Sequence, residues 1–419
     1  MNVRSATGSL VLGGFLAGSV LASRLSDSIG SSVGTTDWDT SFPLGAAGTA
    51  LGAIVAVLVA TWVRHRRVVA ALSLLGVALL ALAPLPGTWR FEVYPQAVGA
   101  GLLLGGLAGL CATTDRAKLQ TALAVGVLGG LLLTGPLRHY QQWARLSQRY
   151  ADYLPGPAAA PADPVTLALL ALTGALLLLA LWLGEFGEPA APVVAARLRT
   201  LVVGLALPVL GLLQWRLARS GEASATAMPG HWAIAVLVIG VVIAGALWLP
   251  GRVGAALLAV LAVAVARAGT AEWYADSWPT LLVPAALVLA GAVLGWRWPG
   301  PLVGMAALGL VAASALVQQP PWDSLNLGAA LVLLPLSAAY TVASCLPSST
   351  PGAAIALTAP AALAVPLLSR HGWFAYRSQS SEAVGSAFSA GALTSLGAIA
   401  ALGAAVAWLR GRREGVHEA

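Results

Sequence analysis

The chain has little charge: only 9% of its 419 residues are Asp, Glu, Lys or Arg, whereas a typical soluble domain carries about 25%. So few charges cannot cover the surface of a globule in water, which excludes a large soluble catalytic domain and a nucleic-acid-binding module. In their place the chain has 58% hydrophobic residues and 47 glycines. We therefore expect lipid to be the solvent for most of it.

Long apolar runs follow one another along the whole chain. A window of roughly 19 residues marks fourteen of them, at 8–22, 44–63, 68–87, 95–113, 118–136, 164–183, 200–218, 231–249, 253–268, 279–296, 301–318, 326–345, 352–369 and 385–409. A helix needs about 20 apolar residues to cross a bilayer. The sequence therefore predicts an all-α, polytopic integral membrane protein of about 14 transmembrane helices, within a range of 12–14.

The cationic residues are sorted by side. Thirteen of the 23 Lys and Arg residues fall on the connections that share a side with the N-terminus, which the positive-inside rule makes the cytoplasmic side. An even number of spans then puts both termini in the cytoplasm of a multi-pass inner (plasma) membrane protein. Cys111 and Cys345 both end spans on that reducing side, so we expect two free thiols.

One connection is longer than its neighbours on the same side. Residues 184–199 are rich in Pro and Gly, which is typical of a linker. This linker would separate an N-terminal helical bundle, 1–183, from a C-terminal bundle, 200–409, with a cytoplasmic tail at 410–419. Within the first bundle, residues 138–154 carry aromatic side chains on one helical face and Gln and Arg mainly on the other, which predicts an amphipathic helix in the outer headgroup layer.

The predicted spans have no Asp, Glu, Lys, Arg or His near their centres. Buried ionisable groups are the usual markers of ion-coupled transport, so the sequence does not favour proton movement through a buried carboxylate. We expect Arg216 and Arg267, near outer span ends, to snorkel to the headgroups. The common catalytic motifs are also missing from the sequence, which favours a protein that is not an enzyme and predicts no cofactor and no metal site.

Neutral polar side chains remain as candidates for a substrate pathway. Four recur at helical spacing directly after Pro335, and a fifth lies in the next span: Ser337, Tyr340, Thr341, Ser344 and Thr358. Proline frees backbone carbonyls, which a membrane tolerates only inside protein or beside a cavity. Plain interhelical hydrogen bonding is the alternative role for these side chains.

Small residues recur every four positions in two spans. The fourth span has Gly101, Gly105 and Gly109, and the last span has Ala387, Gly391 and Ser395. Such spacing predicts helices that approach one another closely.

Tryptophan and tyrosine gather on the outer connections. An aromatic belt at headgroup depth accounts for this, and a stacking surface for a ring-bearing substrate is the alternative. The predicted outer-face binding residues are Trp38, Trp143, Arg145, Arg149 and Trp373.

Asp37 and Asp39 flank Trp38 in the first outer connection. This position resembles that of the catalytic base in the polytopic GT-C glycosyltransferases, which use lipid-linked sugars. The resemblance covers a few residues and implies Asp37 or Asp39 as the base. Solvated loop acids are the alternative interpretation.

Together these features favour a multi-span permease or flippase-like carrier for a small molecule, with a cell-envelope lipid or glycolipid as one candidate. Two alternatives stay open: a GT-C-like glycosyltransferase, and a non-catalytic scaffold subunit of an envelope-assembly or secretion complex. The expected partners are the lipid bilayer, a small-molecule or lipid substrate, and another membrane protein or a second copy of the chain. Nucleic acid is not an expected partner.

Overall fold

A computed structural model describes residues 4–30, 44–82, 93–111, 117–144, 164–186, 194–222, 228–249, 252–268, 270, 273–275, 277–317, 322–346 and 381–417, and nearly all of them are helical. The α-helices are α1 (Arg4–Gly30), α2 (Leu44–Trp62), α3 (Arg66–Leu82), α4 (Val93–Leu110), α5 (Ala117–Ala144), α6 (Pro164–Trp182), α7 (Val194–Glu222), α8 (Met228–Trp248), α9 (Val253–Ala268), α10 (Trp278–Arg297), α11 (Pro301–Ser314), α12 (Asp323–Gly328), α13 (Leu334–Cys345) and α14 (Ser381–His417). A 3₁₀ turn, Ala315–Val317, extends α11, and a π-helical turn, Ala329–Leu333, joins α12 to α13.

The helices follow the predicted apolar runs closely. Eight are long and apolar enough to cross a membrane, and four shorter apolar helices accompany them within the described ranges. The run at 352–369 lies outside the described residues. The all-α polytopic membrane fold predicted from the sequence is confirmed, and its physical basis is that a helix satisfies its backbone polar groups without water.

Glycines set the packing of the first six helices. Helix α4 lies against both α2 and α3, and α1 lies against α4, α5 and α6. A Cβ atom added to Gly101 would collide with the carbonyl oxygen of Gly52, and one added to Gly105 would collide with that of Ala56. The close approach predicted from these two glycines is therefore confirmed, and it joins α4 to α2.

Helix α9 is enclosed by other helices. Every residue from Val253 to Val263 is buried, because α8, α11, α13 and α14 all pack against α9.

Contacts between the first six helices and the later ones run mainly through α5 with α10 and α13, and through α2 with α7. We call the end of the bundle where α1 and α7 begin the inner end, and the opposite end the outer end.

Helix α6 ends in a turn that only glycine adopts easily. Gly184 has φ +67°, in the left-handed region that L side chains disfavour. Its N–H donates to the carbonyl of Leu181 at 3.2 Å, and the N–H of Glu185 donates to that of Ala180 at 3.0 Å. This pair of hydrogen bonds is the Schellman motif, which satisfies carbonyls that a helix end leaves open.

The turn places the Glu185 side chain next to the start of another helix, α1. Its carboxylate accepts a hydrogen bond from the N–H of Ala6 at 2.7 Å, and only 5% of the residue is exposed. The first turn of a helix has unsatisfied N–H groups and a partial positive charge, so the carboxylate caps α1. The contact joins the ends of α1 and α6 at the inner end.

We expect Glu185→Ala to lower the free energy of unfolding by about 1–2 kcal/mol, since it removes a helix cap and leaves a buried N–H without its acceptor. Glu185→Gln should lose less, because its amide oxygen can still accept the hydrogen bond. Denaturant unfolding of the purified protein in detergent would measure both values. Equal losses in the two variants would contradict the capping role.

Two predicted segment boundaries differ in the structure. Residues 138–144 are the last part of α5, which continues through Pro136, so no separate helix starts at 138; residues 145–154 lie outside the described part. Helix α7 begins at Val194, inside the predicted linker 184–199. The division into bundles at 1–183 and 200–409, with a tail at 410–419, stays a prediction.

The two cysteines are thiols outside any disulfide, as predicted. Cys111 and Cys345 are both buried, without a disulfide between them. Cys111 follows the last residue of α4, and its thiol faces the carbonyl oxygen of Leu119 at 3.7 Å.

Candidate functional site

The predicted pathway residues of α13 hydrogen-bond to their own helix. The hydroxyl of Ser337 donates to the carbonyl of Leu333 at 2.6 Å, and that of Thr341 donates to Ser337 at 2.6 Å. Ser344 donates to Tyr340 at 2.7 Å. Each of these hydroxyls thus donates a hydrogen bond to the carbonyl four residues earlier. This bond allows a polar side chain to be buried in an apolar region.

The π-helical turn before this stripe has a chemical cause in Pro335. The N–H of Leu334 donates to the carbonyl of Ala329, five residues earlier, and proline has no N–H to donate. In a regular α-helix the N–H groups of residues 334 and 335 would donate to the carbonyls of Ala330 and Leu331. Both carbonyls therefore lose their α-helical donors. Single π turns of this kind occur frequently at functional sites.

The hydroxyl stripe lies where α13 packs against α10 and α11. A Cβ atom added to Gly291 of α10 would collide with the carbonyl oxygen of Leu336, and one added to Gly304 of α11 would collide with the Thr341 hydroxyl. The hydroxyl of Tyr340 donates to the carbonyl of Trp298 at 3.0 Å. The structure thus places Tyr340 against the end of α10 and Thr341 against α11, with Ser337 and Ser344 buried on the same helix. The role of these four residues as a substrate pathway stays a prediction.

A second polar feature lies between α5 and the later helices, and we call it the α5 seam. At its outer end the rings of His139 and Tyr274 are 4.3 Å apart between centroids, and those of Tyr140 and Trp278 are 5.2 Å apart. At its inner end the Lys118 ammonium lies 5.2 Å from the centre of the Trp296 ring. Helix α5 therefore touches the later helices near both ends of the bundle.

Arg267 also belongs to the α5 seam. Its guanidinium donates to the backbone carbonyl of Leu131 on α5, and the residue is half-buried. Arg267 thus reaches a carbonyl of the neighbouring helix, and its predicted snorkelling to the headgroups stays a prediction. The nearest sequence signal was Pro136, inside α5, which leaves the carbonyl four residues earlier, next to that of Leu131, without its α-helical donor.

The remaining predicted site residues cannot be placed in this geometry. Trp143 is in the last turn of α5, and its side chain is outside the described part. The others lie outside the described residues altogether, at Asp37, Trp38, Asp39, Arg145, Arg149, Thr358 and Trp373. Their predicted roles stay predictions, as does the snorkelling of Arg216.

No family model matches the sequence, and no curated protein matches it. The fold is similar to solved transporter structures. An auto-inhibited peptide transporter of the POT family has a TM-score of 0.50 at 13% identity, over 96% of this chain and 96% of that one. The proton:xylose symporter XylE of the major facilitator superfamily, bound to 6-bromo-6-deoxy-D-glucose, has a TM-score of 0.47 at 15% identity, over 95% of this chain and 94% of that one. At such identities the likeness concerns the fold: a polytopic helical membrane protein.

Proposed function

We propose that this protein is a membrane transporter. Its strongest support is the full-length likeness in fold to a POT-family peptide transporter, with 96% of each chain aligned. The composition adds to this, because a chain with 9% charged residues has little material for a soluble catalytic domain. Many helices with short connections suit a pathway through the bilayer.

The α5 seam suggests how such a pathway opens. Arg267 with the rings of His139 and Tyr274 joins the two sides at the outer end, and Lys118 with Trp296 joins them at the inner end. Single hydrogen bonds and ring contacts each contribute about 0.5–2 kcal/mol, so they can break and re-form in a working cycle. We infer that α5 moves against α10 as one end opens and the other closes.

The proposed substrate contacts are neutral. Thr341 and Ser337 have hydroxyls that bond to their own helix, and a hydroxyl can rotate from such a carbonyl to a ligand. The carbonyls of Ala330 and Leu331, which lack their α-helical donors, add acceptors nearby. These groups suit a small molecule with hydroxyl or amide groups, and they do not suit recognition through a buried ion pair.

A finer version of the proposal takes a cell-envelope lipid or glycolipid as the substrate. It is supported by the tryptophan and tyrosine residues on the predicted outer connections, since rings of this kind sit at headgroup depth and stack on sugars. The GT-C-like transferase with Asp37 or Asp39 as base, and the scaffold subunit, stay predictions from the sequence.

Flux through liposomes containing the purified protein tests transport directly. We expect saturable uptake of at least one class from a panel of labelled neutral sugars, dipeptides and glycolipid headgroups, at a rate above that of protein-free liposomes. Thr341→Val should lower the flux about five-fold, the effect of one lost hydrogen bond.

Thr173→Val is the matched control, because Thr173 is fully buried in α6 and its hydroxyl donates to Leu169 in the same way, at 2.7 Å. Equal flux in the two variants would contradict the role of the α13 stripe. Folded protein without saturable flux of any class would contradict transport itself.

A further inference from the structure

Three helix ends meet at the inner end of the bundle. A Cβ atom added to Gly245, near the end of α8, would lie 3.4 Å from the side chain of Val203 in α7. A Cβ atom added to Gly254, in the first turn of α9, would collide with the carbonyl oxygen of Ala246 in α8. The end of α8 therefore packs against both the start of α7 and the start of α9.

Three arginines lie on these helix ends, and we call them the inner arginine cluster: Arg197, Arg199 and Arg252. The Arg199 guanidinium carbon lies 5.9 Å from the centre of the Trp248 ring, at the end of α8. Arg199 and Arg252 are exposed, whereas Arg197 is half-buried. Two helices, α7 and α9, begin here, and each adds the partial positive charge of its N-terminus.

The inner arginine cluster has no anion to balance it within the described residues. The Nε atom of Arg197 is buried and has no hydrogen-bond partner there, and a buried donor without an acceptor is costly. Among the acids whose side chains the structure describes, Glu185 is the one at this end, and it is itself buried with its carboxylate on Ala6. An anion from outside the chain would satisfy both the charge and the open donor.

We propose that the inner arginine cluster binds the phosphate of an anionic phospholipid headgroup. Arginine presents a planar set of donors that matches phosphate, and Trp248 is the kind of residue that lies at headgroup depth. The Lys and Arg bias places this end on the cytoplasmic leaflet, which carries the anionic lipids. The proposal does not depend on transport.

Apolar surface beside the cluster distinguishes a lipid from free phosphate. Leu198 and Val202 on α7 are 62% and 45% exposed, and Val241 on α8 is 44% exposed. These side chains continue from the arginines toward the middle of the bundle, where an acyl chain would run. A soluble anion would gain nothing from this surface, whereas a phospholipid buries its chain there.

Native mass spectrometry of the full-length protein in detergent, titrated with phosphatidylglycerol, tests the proposal. We expect one tightly held phosphatidylglycerol, with phosphatidylcholine held more weakly. Combining Arg197→Gln, Arg199→Gln and Arg252→Gln should weaken the binding on the order of 100-fold, since each cation contributes about 1 kcal/mol. Arg199→Gln alone should weaken the binding about five-fold. This single variant provides the test if the triple variant does not fold.

The matched control removes three exposed arginines elsewhere at the inner end, with Arg64→Gln, Arg410→Gln and Arg412→Gln combined. We expect it to keep the tight lipid. Equal losses in the two triple variants, or equal binding of the two lipids, would overturn the proposal. Inorganic phosphate or glycerol phosphate that displaces the lipid at equal concentration would identify a site for a soluble anion and would also overturn it.

Discussion

Gly105→Val is expected to leave little folded protein, whereas Gly309→Val is expected to leave the melting temperature nearly unchanged. A Cβ atom at Gly105 collides with the carbonyl oxygen of Ala56 and lies 2.8 Å from its Cα atom. Backbone atoms cannot rotate away as a side chain can, so α4 and α2 would have to separate. Overpacking costs about 1–3 kcal/mol where side chains can yield, and we expect a larger loss here.

Gly309 is the matched control because it also lies inside a helix, α11, and a Cβ atom there meets nothing within 4 Å. Replacing glycine by valine changes helix propensity by the same amount at both positions, so the difference between the variants reports the helix contact alone. Size-exclusion profiles and thermal unfolding in detergent give the comparison. Equal melting temperatures in the two variants would mean that α4 and α2 do not pack as closely as the structure has them.

Cross-linking the outer end of the α5 seam is expected to abolish flux. Tyr140→Cys with Trp278→Cys replaces two rings whose centroids are 5.2 Å apart, and a short bis-methanethiosulfonate reagent would join the new thiols. A covalent tie cannot break in the cycle as a ring contact does, so uptake should stop and return when a reductant is added. Replacing Cys111 and Cys345 with alanine beforehand removes the native thiols.

The control for this experiment ties two helices on one side of the seam. A Cβ atom at Gly403 of α14 would lie 3.7 Å from the Cβ atom of Met305 in α11, within the range for a disulfide. Gly403→Cys with Met305→Cys should therefore form a bond and leave uptake intact. Uptake that persists with a complete outer cross-link would refute movement at the seam while leaving transport possible by another motion.

The positions of the helices could be predicted from the sequence because a helix that crosses lipid needs a run of about 20 apolar residues. Helix α9 spans Val253–Ala268, the same residues as the apolar run. Other helices extend past their runs, and α5 continues beyond its predicted end at residue 136, because proline removes only one backbone hydrogen bond, a loss that membrane helices tolerate. Local composition therefore predicted where helices lie better than where they end.

Long-range polar contacts were not predictable in the same way. Glu185 and Ala6 are 179 residues apart, and Arg267 and Leu131 are 136 apart. Each contact joins a side chain to a backbone group, which has no residue-type signature in the sequence. The hydroxyl stripe was predictable because its spacing and its proline lie within one helix; the glycines that pack against it lie in two others.

Because other helices enclose α9, its length does not have to match the thickness of the bilayer. With 16 residues and a rise of 1.5 Å each, it is about 24 Å long, less than the roughly 30 Å hydrocarbon core. A lipid-facing helix this short would thin the membrane around it or recruit flanking residues to compensate. Because protein surrounds α9, its ends need to match only its neighbours. Hydrophobic mismatch in thicker or thinner membranes should therefore act on the peripheral helices and leave this central one unstrained.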